Sequence, residues 1–288
     1  MEYALGFSAL LAVILAVFMA AGFLAEADAP ADGLEAPDRP KGWGLLVLRV
    51  FLLLCAALVL VWLLVTRADR GPAVYQAVFT AIAALCGIRL GIRVGDRFGI
   101  GGAVPRIALA AAVPAIFVGG WLLWPNWLTR DACALMVSLA VLSGAGILRL
   151  RWVMAVFAAV MLYDAVMVFG TGMMQEAAGK MRDLPAVVAV PAAASLSAPQ
   201  LFMLGLGDVV LPGLLVAIAF REARVRRLPS LAIGSLAGYA LGLAAALAIL
   251  RLTRHPQPAT IYLMPGAAAG FFLAAARRGL VRALWREG

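Results

Sequence analysis

Asp164, within MLYDAVMVFGT, and Asp208, within LFMLGLGDVVLPG, each stand alone in long apolar stretches of the chain. A carboxyl group in hydrocarbon costs several kcal/mol unless it is paired or wetted, so residues placed this way point to function before packing. Two carboxyls brought close cannot both ionise; they share a proton, and the titration of the pair splits into two steps. A protonated acid facing an ionised base can activate a water held between them. One group takes the water's proton and the other polarises a carbonyl, which is the chemistry of amide hydrolysis.

The elements that must position these acids are membrane spans. Of 288 residues, 65% are hydrophobic and 14% charged, and the mean hydropathy is +1.00, far from the composition of soluble domains. Apolar stretches of about 20 residues, the length that crosses the hydrocarbon as a helix, fall at 3–25, 45–65, 72–90, 105–124, 131–148, 152–171, 201–220, 231–250 and 258–276. The expected fold class is an all-α membrane protein with nine transmembrane helices. The first segment begins Met1-Glu2 without a basic n-region or a small-residue cleavage site, and is read as a retained span. The acidic, Ala-, Pro- and Gly-rich stretch within 25–44 cannot bury enough apolar area to fold and reads as a disordered loop. Residues 1–150 then form a five-helix scaffold, and 151–288 a four-helix part that carries both acids.

Charge placement orients the bundle, because short cytoplasmic loops retain Lys and Arg during insertion. With the N-terminus outside, the inside loops and tail carry sixteen Lys and Arg, among them Arg221, Arg224, Arg226 and Arg227, against seven outside. The expected topology is N-out and C-in. The net charge of +9 reads as this topology signal plus attraction to anionic lipid headgroups. No soluble domain is left to present a basic face to nucleic acid.

In that topology the sixth and seventh spans are antiparallel. Asp164 lies about 12 residues, or roughly 18 Å, into its span, and Asp208 about 7 residues, or roughly 10 Å, in from the opposite face. These depths sum to about one hydrocarbon thickness of 30 Å, so the two carboxyls can share a level. Gly205 and Gly207 uncover the backbone just before Asp208, which allows close approach of a helix or an extended ligand, and Pro212 loosens the helix just after it. Between the two spans, AVVAV (186–190) is a β-prone run bracketed by Pro185 and Pro191, able to form a strand to which an unwound substrate could add, or to serve as an irregular hinge.

Other reactive groups are scarce. Cys55, Cys86 and Cys133 lie in apolar surroundings without CxxC spacing, as small hydrophobes. His255 is the single histidine, which leaves little material for a His-based metal site or a Ser-His-Asp triad.

The runs Tyr163-Asp164, VFGT (168–171), LGLGDVVLPG (204–213) and QPATIYLMP (257–265) resemble the YD, GxGD and PAL signatures of signal peptide peptidases and their presenilin relatives, which that family carries on its sixth, seventh and ninth spans. The resemblance extends over residues 150–276. It implies an intramembrane aspartyl protease in which Asp164 and Asp208 form the dyad around a water, with no metal or organic cofactor. Tyr163, Gly205, Leu206, Gly207, Pro258, Ala259 and Thr260 would border the substrate, a signal-peptide-like or type II transmembrane segment. Tyr163 reads equally as a bundle residue or as an orienting neighbour of the dyad. The chain departs from the family at Thr260, which stands where the resemblance expects Leu, while Pro258 still breaks the start of the ninth span. The Ala- and Arg-rich composition points to a prokaryotic plasma membrane.

Two rival readings share some of these features. A prepilin-type peptidase also uses a GxGD aspartate, but that group typically has Lys two residues after the Asp, where this chain has Val210. A proton-coupled transporter would use buried acids as proton carriers and broken helices as binding sites.

Overall fold

A computed structural model describes residues 72–144, 148–165, 184–191, 200–253 and 258–287. The expected spans at 3–25 and 45–65, the loop at 25–44, Cys55, VFGT and His255 lie outside these residues. Helices form where the seven remaining spans were expected: α1 (Pro72–Arg97), α2 (Ala103–Leu123), α3 (Trp127–Ser143), α4 (Leu150–Ala165), α5 (Leu206–Val225), α6 (Ser230–Thr253) and α7 (Thr260–Ala276). A short helix, α8 (Val281–Glu287), follows. Segments of α1 (Gln76–Arg97), α2 and α6 are long and apolar enough to cross a membrane. Their outward faces carry Leu85, Ile107, Ile116, Leu241 and Leu252, all exposed, a surface suited to lipid and not to water.

The seventh span needs a correction. Its first residues are not helical: β2 (Gln200–Gly205) is a strand that pairs antiparallel with β1 (Val187–Pro191), with Val187 opposite Gly205 and Val188 opposite Leu204. The Val-rich β1 forms where its β-branched residues and flanking prolines point to a strand. The run leading into Leu204 is continuously apolar, a pattern that buried strands and buried helices share.

α5 is the central helix. Val209, Leu215, Val216, Ile218 and Ala219 are fully buried and sit in one cluster with Leu142 of α3, Phe157 of α4, Tyr239 and Leu243 of α6, and Leu263, Met264 and Phe271 of α7. A helix apolar on all sides must be surrounded. A second cluster joins α1, α2 and α3 around Leu90, Trp121, Met136 and the fully buried Cys133. Asn126 caps α3: its side-chain oxygen accepts the Leu128 and Thr129 amides at 3.0 and 3.1 Å, and Thr129 Oγ1 accepts the Asn126 amide at 3.2 Å. Such reciprocal capping contributes about 1 kcal/mol.

Glycines set two tight crossings. A Cβ on Gly91 of α1 would lie 2.6 Å from the Leu109 carbonyl oxygen of α2. Between α6 and α7 the backbones touch: a Cβ on Gly238 would lie 2.0 Å from the Gly266 oxygen, and one on Gly270 2.0 Å from the Gly234 oxygen. Gly234, Gly238 and Gly242 therefore face Gly266 and Gly270 in the small-residue packing typical of membrane helices. Among the described residues the close helix approach falls at these positions and not at Gly205 or Gly207, which leaves the extended ligand of the two readings open there. A Cβ on Gly207 would meet nothing within 4 Å among the described residues, and one on Gly205 would meet only its own helix's Asp208 carboxyl.

Candidate active site

Asp164 lies on α4 and is 7% exposed. Asp208, on the first turn of α5, is half-buried. The two carboxyls lie close enough to interact electrostatically, so acids 44 residues apart in sequence are brought together by the packing of α4 against α5.

The strand-to-helix junction fixes Asp208. Gly205 ends β2 and caps α5 in an extended conformation (φ −62°, ψ 147°). Its amide donates to Asp208 Oδ2 at 3.1 Å. The Leu206 amide donates to the Ala186 carbonyl at 2.8 Å, which carries the hairpin's hydrogen bonding to the first residue of the helix. Pro212, four residues after Asp208 and buried in α5, has no N–H for the Asp208 carbonyl, so the helical bond expected there is missing beside the acid.

The third contributor is the start of α7. Pro258 and Thr260 are buried and Ala259 half-buried, and α7 begins at Thr260. The Thr260 hydroxyl donates to Asp164 Oδ2, and the Thr260 backbone N–H is near enough to the Asp208 carboxyl to favour its charge. The N-termini of α5 and α7 therefore both converge on the acids. Helix N-termini carry unsatisfied N–H groups and partial positive charge, and these offset part of the cost of placing negative charge in the bundle.

The hairpin is anchored from α3. Arg130 and Asp131, both buried, form a forked ion pair with nitrogen to oxygen distances of 3.1 and 3.0 Å. Asp131 Oδ2 also accepts the Ala189 amide of β1 at 2.9 Å.

The structure thus gathers Asp164, Asp208, Gly205 and Thr260 around one point, with Leu206, Pro258 and Ala259 as immediate chain neighbours. Gly207 is exposed on the first turn of α5, and the Tyr163 ring remains 42% exposed. Tyr239 of α6 was not singled out from the sequence. It is fully buried, and its phenol lies within electrostatic reach of Asp208. Its sequence signal is faint: it is the one tyrosine of the eighth span, between Gly238 and Gly242. Among the described residues no three His, Cys, Asp or Glu side chains gather as a metal site would require.

A family model described as signal peptide peptidase matches residues 45–288. Human signal peptide peptidase is 33% identical over 163 residues, which cover 54% of this chain and 42% of that protein. Signal peptide peptidase-like 1 of Arabidopsis thaliana is 26% identical over 219 residues, 59% of each protein. The match therefore spans under half the length of the human protein. A solved structure of a presenilin family intramembrane aspartate protease superimposes with a TM-score of 0.62 at 21% identity, covering 94% of this chain and 99% of that one. The same family's structure in a second crystal form gives 0.59 at 22% identity. At these identities the likeness carries the fold.

Proposed function

Because the chain belongs to the signal peptide peptidase family, we propose that it is an intramembrane aspartyl protease in which Asp164 and Asp208 form the catalytic dyad. The observation that carries this reading is the convergence of the two acids, from α4 and α5, on Thr260 at the start of α7. An isolated acid in a span serves many purposes. Two that converge on one polar residue inside a mostly apolar bundle suit the activation of water.

In the proposed reaction the ionised carboxylate removes a proton from a water held between the acids, and the resulting hydroxide adds to the scissile carbonyl carbon. The proton on the other carboxyl stabilises the developing oxyanion. The adduct collapses as a proton reaches the amide nitrogen, the C–N bond breaks, and an acid and an amine leave.

The substrate would be a transmembrane helix, signal-peptide-like or type II, that unwinds at the cleavage point. Its freed N–H and C=O groups then need partners. The register of β1 and β2 turns the backbone groups of Leu204 and Leu206 towards β1 and those of Met203 and Gly205 outward. That outward edge runs straight into the Asp208 helix, so a strand added to β2 would be led to the acids. Tyr163, Leu206, Gly207, Pro258 and Ala259 would border it. Nine transmembrane helices, N-out and C-in, in a prokaryotic plasma membrane complete the proposal, with residues 1–150 as scaffold and 151–288 as the catalytic part.

The test is incubation of purified protein with a labelled transmembrane peptide in detergent, beside Asp164→Ala and Asp208→Ala. Cleavage by the unaltered protein alone is expected. A proton-coupled transporter would instead show gradient-dependent flux and no cleaved bond.

A further inference from the structure

Thr260 is 3% exposed, and a buried hydroxyl needs a partner. Its partner is Asp164 Oδ2, to which it donates. Its backbone N–H, one of the helix-start donors that lack an intrahelical acceptor, is near enough to Asp208 to favour that carboxyl's charge. One residue of α7 therefore bonds an acid of α4 through its side chain and lies beside an acid of α5 with its backbone. The two links differ in what they require of the sequence. Any residue except proline supplies the N–H, whereas the bond to Asp164 needs a short side chain that can donate, here a hydroxyl. The aliphatic residue that the resemblance leads one to expect here could fill the space, but it could not donate.

The setting is rigid enough for such a bond to matter. α7 is seated against α6 through the contacts of Gly266 and Gly270 with Gly238 and Gly234, and Leu263 and Met264, one turn after Thr260, are fully buried. Asp164, by contrast, has a carboxyl whose direction is set by its side-chain torsions, and its oxygen Oδ2 accepts the Thr260 hydroxyl. A carboxyl on a helix reaches several rotamers, and a catalytic pair works only when its groups are held close to one productive geometry.

We propose that the Thr260 hydroxyl is a positioning group for Asp164: it fixes the rotamer of that carboxyl so that it faces Asp208, and this chain depends on that bond for turnover. The inference rests on the protease reading. It deepens it by assigning to the hydroxyl a role that an aliphatic residue at this place could not fill.

The test uses the full-length purified chain and a labelled transmembrane peptide, with kcat and KM measured separately. Thr260→Val keeps the β-branched shape and removes the donor; Thr260→Ser keeps the donor and removes a methyl group. The expected result is a fall in kcat of roughly ten- to a hundred-fold for Thr260→Val, the loss associated with a hydrogen bond to a charged group. KM should change little, and most of the rate should return in Thr260→Ser. Thr260→Leu should lose kcat as Thr260→Val does, and provides a second donor-free variant should valine impair folding, which thermal unfolding would report. Equal turnover of the Val, Ser and unaltered proteins would overturn the proposal. So would equal losses in Val and Ser accompanied by matching losses of thermal stability, which would make Thr260 a packing residue. If the unaltered protein cleaves nothing, the protease reading fails and the positioning role falls with it.

Discussion

Asp208 receives the Gly205 backbone N–H and lies within electrostatic reach of the Thr260 N–H and the Tyr239 phenol, whereas Asp164 receives a hydroxyl. The two acids thus differ in their surroundings although they are alike in sequence context. Tyr239 tests this asymmetry. Tyr239→Phe keeps the ring that fills the core and removes only the hydroxyl near Asp208, so kcat should fall several-fold while the unfolding temperature moves by only a few degrees. An unchanged kcat would leave Tyr239 as packing. At this scale the acids were legible because carboxyls are costly in lipid. Thr260 was legible as a departure from a motif, but its bonding was not, because a hydroxyl's partner depends on a helix 96 residues away. Tyr239 was illegible because a tyrosine in an apolar span is ordinary until something polar is found beside it.

The elements were legible where hydrophobic runs had clear ends, as in α1, α2 and α6, and misread where a run continued through a change of structure. Residues 201–205 look like the start of a span and are instead strand β2. Gly205 marks that change, and Gly207 meets no other helix among the described residues. The glycines therefore separate into two roles that substitution can distinguish. Gly238→Ala drives a Cβ into the Gly266 carbonyl and should destabilise the protein by about 1–3 kcal/mol, with lost activity as α7 shifts; thermal unfolding measures it. Gly207→Ala has room among the described residues and should leave the unfolding temperature unchanged while raising KM as substrate passes over this turn. The hairpin's anchor makes a separate prediction. Asp131→Ala leaves Arg130 buried without its carboxylate and releases the Ala189 amide, a change that costs about 3–5 kcal/mol when a buried pair is broken. Hydrogen exchange should speed up at Ala189 before it does in α5. Uniform exchange across both would show that Asp131 does not hold the hairpin specifically.

For the molecule as a whole, the family model matches residues 45–288 and the fold superimposes on a presenilin family protease over 94% of the chain. What the sequence carried at this scale was the span pattern of 72–276 and the order of its motifs. What it did not carry was the arrangement around α5, which arises from close glycine contacts between α6 and α7 and from apolar packing on every side of one helix. That arrangement places the starts of α5 and α7 at the two acids, and it turns separate motifs into a candidate site for cutting a peptide bond inside a membrane. The most direct measurement is product analysis by mass spectrometry after the purified chain is incubated with a labelled transmembrane peptide, in parallel with Asp164→Ala and Asp208→Ala. Cleavage within the apolar segment by the unaltered protein, and none by either variant although both fold, is the expected result. Cleavage that survives the loss of either aspartate would contradict the dyad.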